Sequence, residues 1–162
     1  MRGRFLITDT ALTAAERLLP TYRGSDGDHE GIVFLAGLET ECATVFTGIV
    51  APQADHGRGR VLCAQEHVLA AARAARRAGV SILAQVHSHP GAWTGHSEGD
   101  DSMVLMPFER MLSIVAPWYG RFGLRPLDSL GVHQYQSGSW VLCDRESVHA
   151  AFGILPSETD LR

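Results

Sequence analysis

Val80-Ser81-Ile82-Leu83-Ala84-Gln85-Val86-His87-Ser88-His89-Pro90 is the stretch on which both fold and chemistry turn. Its first seven residues, Val80 to Val86, are apolar and β-prone, which predicts a buried strand running into the histidines. Successive side chains on a strand point to opposite faces, so His87 and His89 share one face and Ser88 takes the other. Pro90 has no amide hydrogen to give to a central ladder and ends the pairing. Two imidazoles side by side at the end of a buried strand are half of a metal site.

The other half follows after seven intervening residues, at Ser97-Glu98-Gly99-Asp100. Gly91, Gly95 and Gly99 make the connection flexible, and the offset from Ser97 to Asp100 is that of a helix N-terminal capping pair. A carboxylate in that first turn can return to the histidines as a third ligand. Three protein ligands leave the fourth position of a tetrahedral metal open for water, which separates a hydrolytic site from a closed structural one. Two readings stay open here: Ser97 as no more than the helix cap, and Asp101 as the ligand in place of Asp100. His96 reads as a loop residue, because a fourth protein ligand would displace the water.

At these residues the chain resembles the JAMM (JAB1/MPN+) zinc metalloproteases, in the compact form of a prokaryotic-type JAB domain. The family signature is a glutamate upstream of His-x-His-x7-Ser-x2-Asp, and every position of it is filled. The glutamate of that family lies next to an apolar segment closed by glycine, which Glu30-Gly31-Ile32-Val33-Phe34-Leu35-Ala36-Gly37 matches. Glu39, Glu41 and Glu66 lack that context, while Glu30 also reads as a solvated charge at a strand start. The resemblance spans roughly residues 4 to 145. It implies that His87, His89 and Asp100 hold one zinc ion per chain, that Ser97 steadies the oxyanion and that Glu30 is the general base. It implies an α/β fold with a mixed β-sheet flanked by helices, of the cytidine-deaminase-like sandwich type. It further implies hydrolysis of the amide bond after the C-terminal glycine of a ubiquitin-like or sulfur-carrier protein, beside an E1-like activating enzyme of the same bacterial pathway. A zinc hydrolase of a small-molecule amide, or a catalytically silent scaffold of the same fold, would share the pattern.

Composition sets the bounds. At 162 residues with 45% hydrophobic content, the chain is expected to form one domain over residues 1–162, with its core at about 4–145. No apolar run approaches the roughly 20 residues of a membrane span, and Phe5-Leu6-Ile7 is too short for a signal sequence, so a cytoplasmic protein without a membrane partner is expected. The net charge of −4 is scattered without a basic stripe, which argues against nucleic acid as a partner. Cys42, Cys63 and Cys143 are an odd, widely spaced set that reads as reduced core thiols. All 14 basic side chains are arginine, and neither lysine nor asparagine occurs, a bias that a GC-rich genome explains.

The remaining pattern supplies a scaffold. Asp9 is placed to cap a helix over residues 10–19 that Pro20 ends. Residues 25–29 form a polar loop delivering Glu30. Strands are expected at 32–38, 43–50, 112–116, 131–136 and 140–143, the last two joined as a hairpin through Ser137-Gly138-Ser139. Residues 52–59 read as a loop, 64–78 as a helix closed by Gly79, and 145–152 as a short terminal helix. Strands with helices on their faces, without repeats, indicate an α/β sandwich around a central mixed sheet.

Overall fold

The computed structural model describes residues 1–103 and 107–156. Residues 104–106 and 157–162, which the single-domain expectation includes, lie outside the described residues.

A short strand, β1 (Phe5–Thr8), passes directly into helix α1 (Asp9–Leu18). The cap lies one residue before the expected Asp9: the Thr8 hydroxyl accepts from the Ala11 amide at 3.2 Å. Asp9 instead occupies the first turn, where a carboxylate suits the positive end of the helix. The polar loop before Glu30 contains a small hairpin, β2 (Arg23–Gly24) with β3 (Gly27–Asp28). Then come the long antiparallel pair β4 (Ile32–Glu39) and β5 (Thr44–Val50), and a second hairpin, β6 (Asp55–Gly57) with β7 (Arg60–Leu62), part of which was expected to be loop. Helix α2 (Gln65–Arg77) leads into β8 (Ser81–Ser88), which carries the first histidine. The short helix α3 (Glu98–Met103) precedes β9 (Leu112–Ala116), β10 (Gly131–Gln136) and β11 (Ser139–Leu142). Ser137 and Gly138, both with positive φ, form the two-residue turn between β10 and β11 that suits right-handed strand twist. Helix α4 (Arg145–Ala151) stops one residue short of the expected end, because Phe152 opens a last strand, β12 (Phe152–Leu155).

Among the described residues, eight strands form one mixed sheet in the order β11-β10-β9-β8-β4-β5-β1-β12. The pairs β8–β9, β1–β5 and β1–β12 are parallel, and the rest are antiparallel. Helices α1 and α4 cover one face, where Phe5, Ile7, Leu12, Leu35, Phe46, Val86, Ile114 and Val148 pack together. Each such side chain contributes roughly 1.5–3 kcal/mol when fully buried. The other face carries Ile32, Phe34, Val61 and Ala71 in a smaller cluster beneath α2 and the β6–β7 hairpin. Strand alternation puts His87 on this second face, in register with Ile32 of β4 and Val115 of β9. The mixed α/β sheet flanked by helices is the architecture expected from the sequence.

The cysteine expectation needs correction in part. Cys143 is buried and Cys63 half-buried, its thiol pushed up to about 11 by burial. Cys42 is exposed, because it sits in the tight turn that Thr40 closes between β4 and β5.

Candidate metal centre

The ladder between β8 and β9 runs one residue past the end of β8, since the His89 amide donates to the Ala116 carbonyl at 2.9 Å. Pro90 stops it there, and both histidines reach the site from one rigid strand end. The Asp100 carboxylate meets them from the first turn of α3: His87 Nε2 lies 3.3 Å from Asp100 Oδ1, and His89 Nε2 lies 3.3 Å from Asp100 Oδ2. Bonds of about 2.0–2.1 Å at tetrahedral angles place zinc ligand atoms about 3.3 Å apart, and each histidine nitrogen stands at that distance from one of the two carboxylate oxygens. All three residues are buried, and one ligand atom from each lies within 4.8 Å of the others.

Protonation chemistry agrees. Both ring nitrogens of His87 are buried without a hydrogen-bond partner among the described residues; the Asp100 contact lacks hydrogen-bonding geometry. A buried imidazole left so is costly unless something coordinates it. The Nδ1–H of His89 donates to the Trp93 carbonyl at 3.1 Å, which fixes the tautomer and turns the Nε2 lone pair toward Asp100. Burial pulls the His89 imidazolium down, but the Asp100 carboxylate outweighs it and leaves the group above its ordinary value. Burial likewise opposes the Asp100 anion, yet contact with His87 and His89 holds it well below the usual carboxylate range. The donor set of two imidazoles and one committed carboxylate fits a divalent metal ion.

Glu30 reaches the same place by a different route. Its amide donates to the Gly57 carbonyl at 2.9 Å. The next residue, Gly31, is tied to Ser88 twice: the Gly31 amide donates to Ser88 Oγ at 2.9 Å, and the Ser88 amide donates to the Gly31 carbonyl at 3.0 Å. Gly31 is required by close approach, since a Cβ there would lie 2.4 Å from the Tyr22 ring. Ser88, read only as pointing away from the metal, is thus the clamp that brings Glu30 beside the histidines. Glu30 lines a groove of about 510 Å³ together with His89, Ser97 and Asp100. It is 7% exposed, and burial pushes its carboxyl up to about 7, with Asp100 adding to the shift and His89 opposing it. Glu39, Glu41 and Glu66 are exposed and stand outside this groove.

Ser97 caps α3 and contacts the Asp100 carboxylate at once. Its amide and hydroxyl donate to Asp100 Oδ2 at 2.7 and 2.8 Å, and the Asp100 amide donates back to Ser97 Oγ at 3.1 Å. Asp101 turns away and accepts from His96 Nδ1 at 2.8 Å, so Asp100 is the carboxylate that joins the histidines. His96 departs from its expectation as a simple loop residue: its side chain is only 5% exposed and bridges Asp101 to Ser113. Its trace in the sequence is Ser113, the polar residue of the otherwise apolar stretch Leu112–Ala116, although nothing local pairs the two.

A family model described as prokaryotic homologs of the JAB domain matches residues 23–124. The chain belongs to that family. The matched span of this JAB domain holds Glu30, both histidines, Ser97 and Asp100. No curated protein matches it. Among solved structures it is similar to protein DSY2949 from Desulfitobacterium hafniense, with 13% identity over 96% of this chain and 94% of that one and a TM-score of 0.63. It is also similar to AF2198, a JAB1/MPN domain protein from Archaeoglobus fulgidus, with 16% identity over 88% of this chain and 98% of that one and a TM-score of 0.46. No helix of the described residues is long and apolar enough to cross a membrane.

Proposed function

We propose that this JAB domain is a zinc-dependent peptidase or isopeptidase of the JAMM type. The observation that carries the reading is the buried His87–His89–Asp100 group, of which His89 and Asp100 line one groove with Glu30 and Ser97. Zinc, when bound by His87, His89 and Asp100, would supply a Lewis acid and lower the pKa of water to about 7.

The chain's own residues then divide the work. Glu30 is the base: its carboxylate takes the proton of the attacking water and passes it to the leaving amine. Ser97 turns its one hydroxyl hydrogen from Asp100 Oδ2 to the oxyanion while its amide keeps hold of the carboxylate, a contribution typically worth about 10²-fold or more in rate. Trp93 O holds the His89 ring in the ligating tautomer. No covalent intermediate with the protein is needed.

For substrate we infer the C-terminal tail of a ubiquitin-like or sulfur-carrier protein, cut after its terminal glycine, with an E1-like activating enzyme as partner in the same bacterial, cytoplasmic pathway. Two features support an extended tail. Gly59, Gly91 and Gly99 line the groove and leave its walls low, which suits a glycine-bearing main chain. β7, whose residues also line the groove, belongs to a two-stranded sheet and offers an edge to which an extended peptide can pair.

Elemental analysis of chelator-free protein tests the reading, with one zinc per chain expected and none in the His87→Ala, His89→Ala double variant. Mass spectrometry of ubiquitin-like fusions extended beyond the terminal glycine is expected to show a single cut after that glycine. Absence of zinc, or turnover confined to small amides, overturns it.

A further inference from the structure

Strand β9 is apolar from Leu112 to Ala116 except for Ser113, which is fully buried. Its hydroxyl is the centre of a hydrogen-bond chain. Gln85 Nε2 donates to Ser113 Oγ at 3.0 Å, His96 Nε2 lies 2.9 Å from the same oxygen, and His96 Nδ1 lies 2.8 Å from Asp101 Oδ1. The carboxylate can only accept, so Nδ1 carries hydrogen. A neutral ring then accepts the Ser113 hydroxyl at Nε2, and every link is satisfied. The His96 ring also stacks on His133, with centroids 3.8 Å apart and planes at 20°.

Carboxylate, imidazole and hydroxyl in that order make the hydrogen-bond chain of a serine hydrolase. Ser113 is nevertheless fully buried within the sheet, between β8 and β10, where no substrate carbonyl reaches its oxygen. The chain therefore serves geometry. An independent contact places the same connection: a Cβ on Gly131 of β10 would lie 1.9 Å from the Thr94 carbonyl oxygen. The segment between His89 and Ser97 is thus seated on the sheet at Thr94 and fastened two residues later by His96. Asp100 follows four residues after His96.

We propose that His96 is the positioning residue of the metal centre. Its bonds to Ser113 and Asp101 fasten the first turn of α3 to the sheet and so set where Asp100 meets His87 and His89. A ligand already held needs no ordering when the ion arrives, and the entropy of fixing a glycine-rich connection is removed from the binding step. This inference rests on reading His87, His89 and Asp100 as a zinc site.

The test compares native protein with His96→Phe, which keeps the ring stack but removes both polar links, and Ser113→Ala, which removes one oxygen. Zinc affinity is measured by competition with a chromophoric chelator, ligand geometry by the visible spectrum of the cobalt(II) form, and fold by melting of the metal-free proteins. Both variants are expected to bind zinc about 10-fold or more weakly, the usual cost of losing support around a ligand. Their cobalt spectra should change while metal-free melting stays close to native. Unchanged affinity in both variants overturns the proposal, as does an affinity loss that merely tracks lost metal-free stability. Native protein that binds no zinc removes the metal centre and this role together, whereas unaltered variants beside a zinc-binding native remove only the role of His96.

Discussion

Ser97 and Asp100 hold each other: the Ser97 hydroxyl donates to Asp100 Oδ2 at 2.8 Å while the Asp100 amide donates to Ser97 Oγ at 3.1 Å. Capping of α3 and orientation of the Asp100 carboxylate are therefore one interaction, and in the proposed site Ser97 would bear on the metal as well as on the oxyanion. Ser97→Ala is expected to cost about 1 kcal/mol as a lost cap. It should weaken zinc several-fold and, at saturating zinc, still lower turnover by about 10²-fold. Ser97→Thr keeps the hydroxyl and should preserve both. Full activity of Ser97→Ala at saturating zinc would confine Ser97 to holding Asp100.

Glu30 separates chemistry from metal binding. Glu30→Gln keeps shape and should keep zinc, but it cannot accept a proton, so turnover should fall by about 10²-fold or more. The same change at Glu39, Glu41 or Glu66, all exposed, should leave rates near native. The metal-free protein gives a second readout. Burial raises the Glu30 carboxyl to about 7, above its ordinary value of 4.5, so the folded state holds this proton where the unfolded state has lost it. Stability from the neutral form is present at low pH and fades as pH rises toward 7. Metal-free Glu30→Gln should therefore melt higher than native above pH 7 and converge with it near pH 4.

The clustering of His87, His89 and Asp100 was legible because their spacing is local: two residues at one strand end and a capping pair after seven intervening residues. Long elements were legible for a similar reason, since β4, β5, α2 and β8 through β11 carry enough periodicity to be read in place. β1 and β12 were not. Each has four residues. β11 is equally short but is announced by the Ser137-Gly138 turn beside it, whereas Phe5 of β1 pairs in parallel with Phe152 of β12 across almost the whole chain, a partnership that no local pattern announces. The hairpins flanking Glu30 have strands of two or three residues, below the length at which alternation can be seen. The anchoring role of His96 was not legible because Ser113, which fixes it to the sheet, and Gln85, which in turn holds Ser113, come from two other strands of the fold.

His133 should make the metal-free protein acid-sensitive. Burial, and after it the charges of His96 and His87, lower its imidazole from 6.5 to about 4. The unfolded chain then takes up a proton between those values that the folded chain refuses, so this stability is whole above pH 6.5 and drains away as pH falls toward 4. Urea midpoints in chelator should decline over that window for native protein, and the decline should be shallower in His133→Phe. Parallel curves would assign the acid sensitivity to other groups.

Trp93 divides its backbone from its side chain. The carbonyl accepts from His89 Nδ1 at 3.1 Å, while the indole, 58% exposed, stacks on the His89 ring at 5.2 Å and lines the groove. Trp93→Ala keeps the carbonyl and removes the apolar wall, so zinc affinity should hold. If the groove takes a protein tail as proposed, an exposed tryptophan beside it is the residue type whose truncation costs most, and about 1.4 kcal/mol corresponds to ten-fold in affinity. KM for a ubiquitin-like fusion should therefore rise about 10-fold with kcat near native, the pattern of lost ground-state binding. A short chromogenic peptide that ends before the wall should be cut equally well by both proteins. A fall in kcat at unchanged KM would instead mean that the indole acts through the His89 ring it covers, and the groove wall facing the substrate would then have to be sought at Leu62 and Arg60, which also line it.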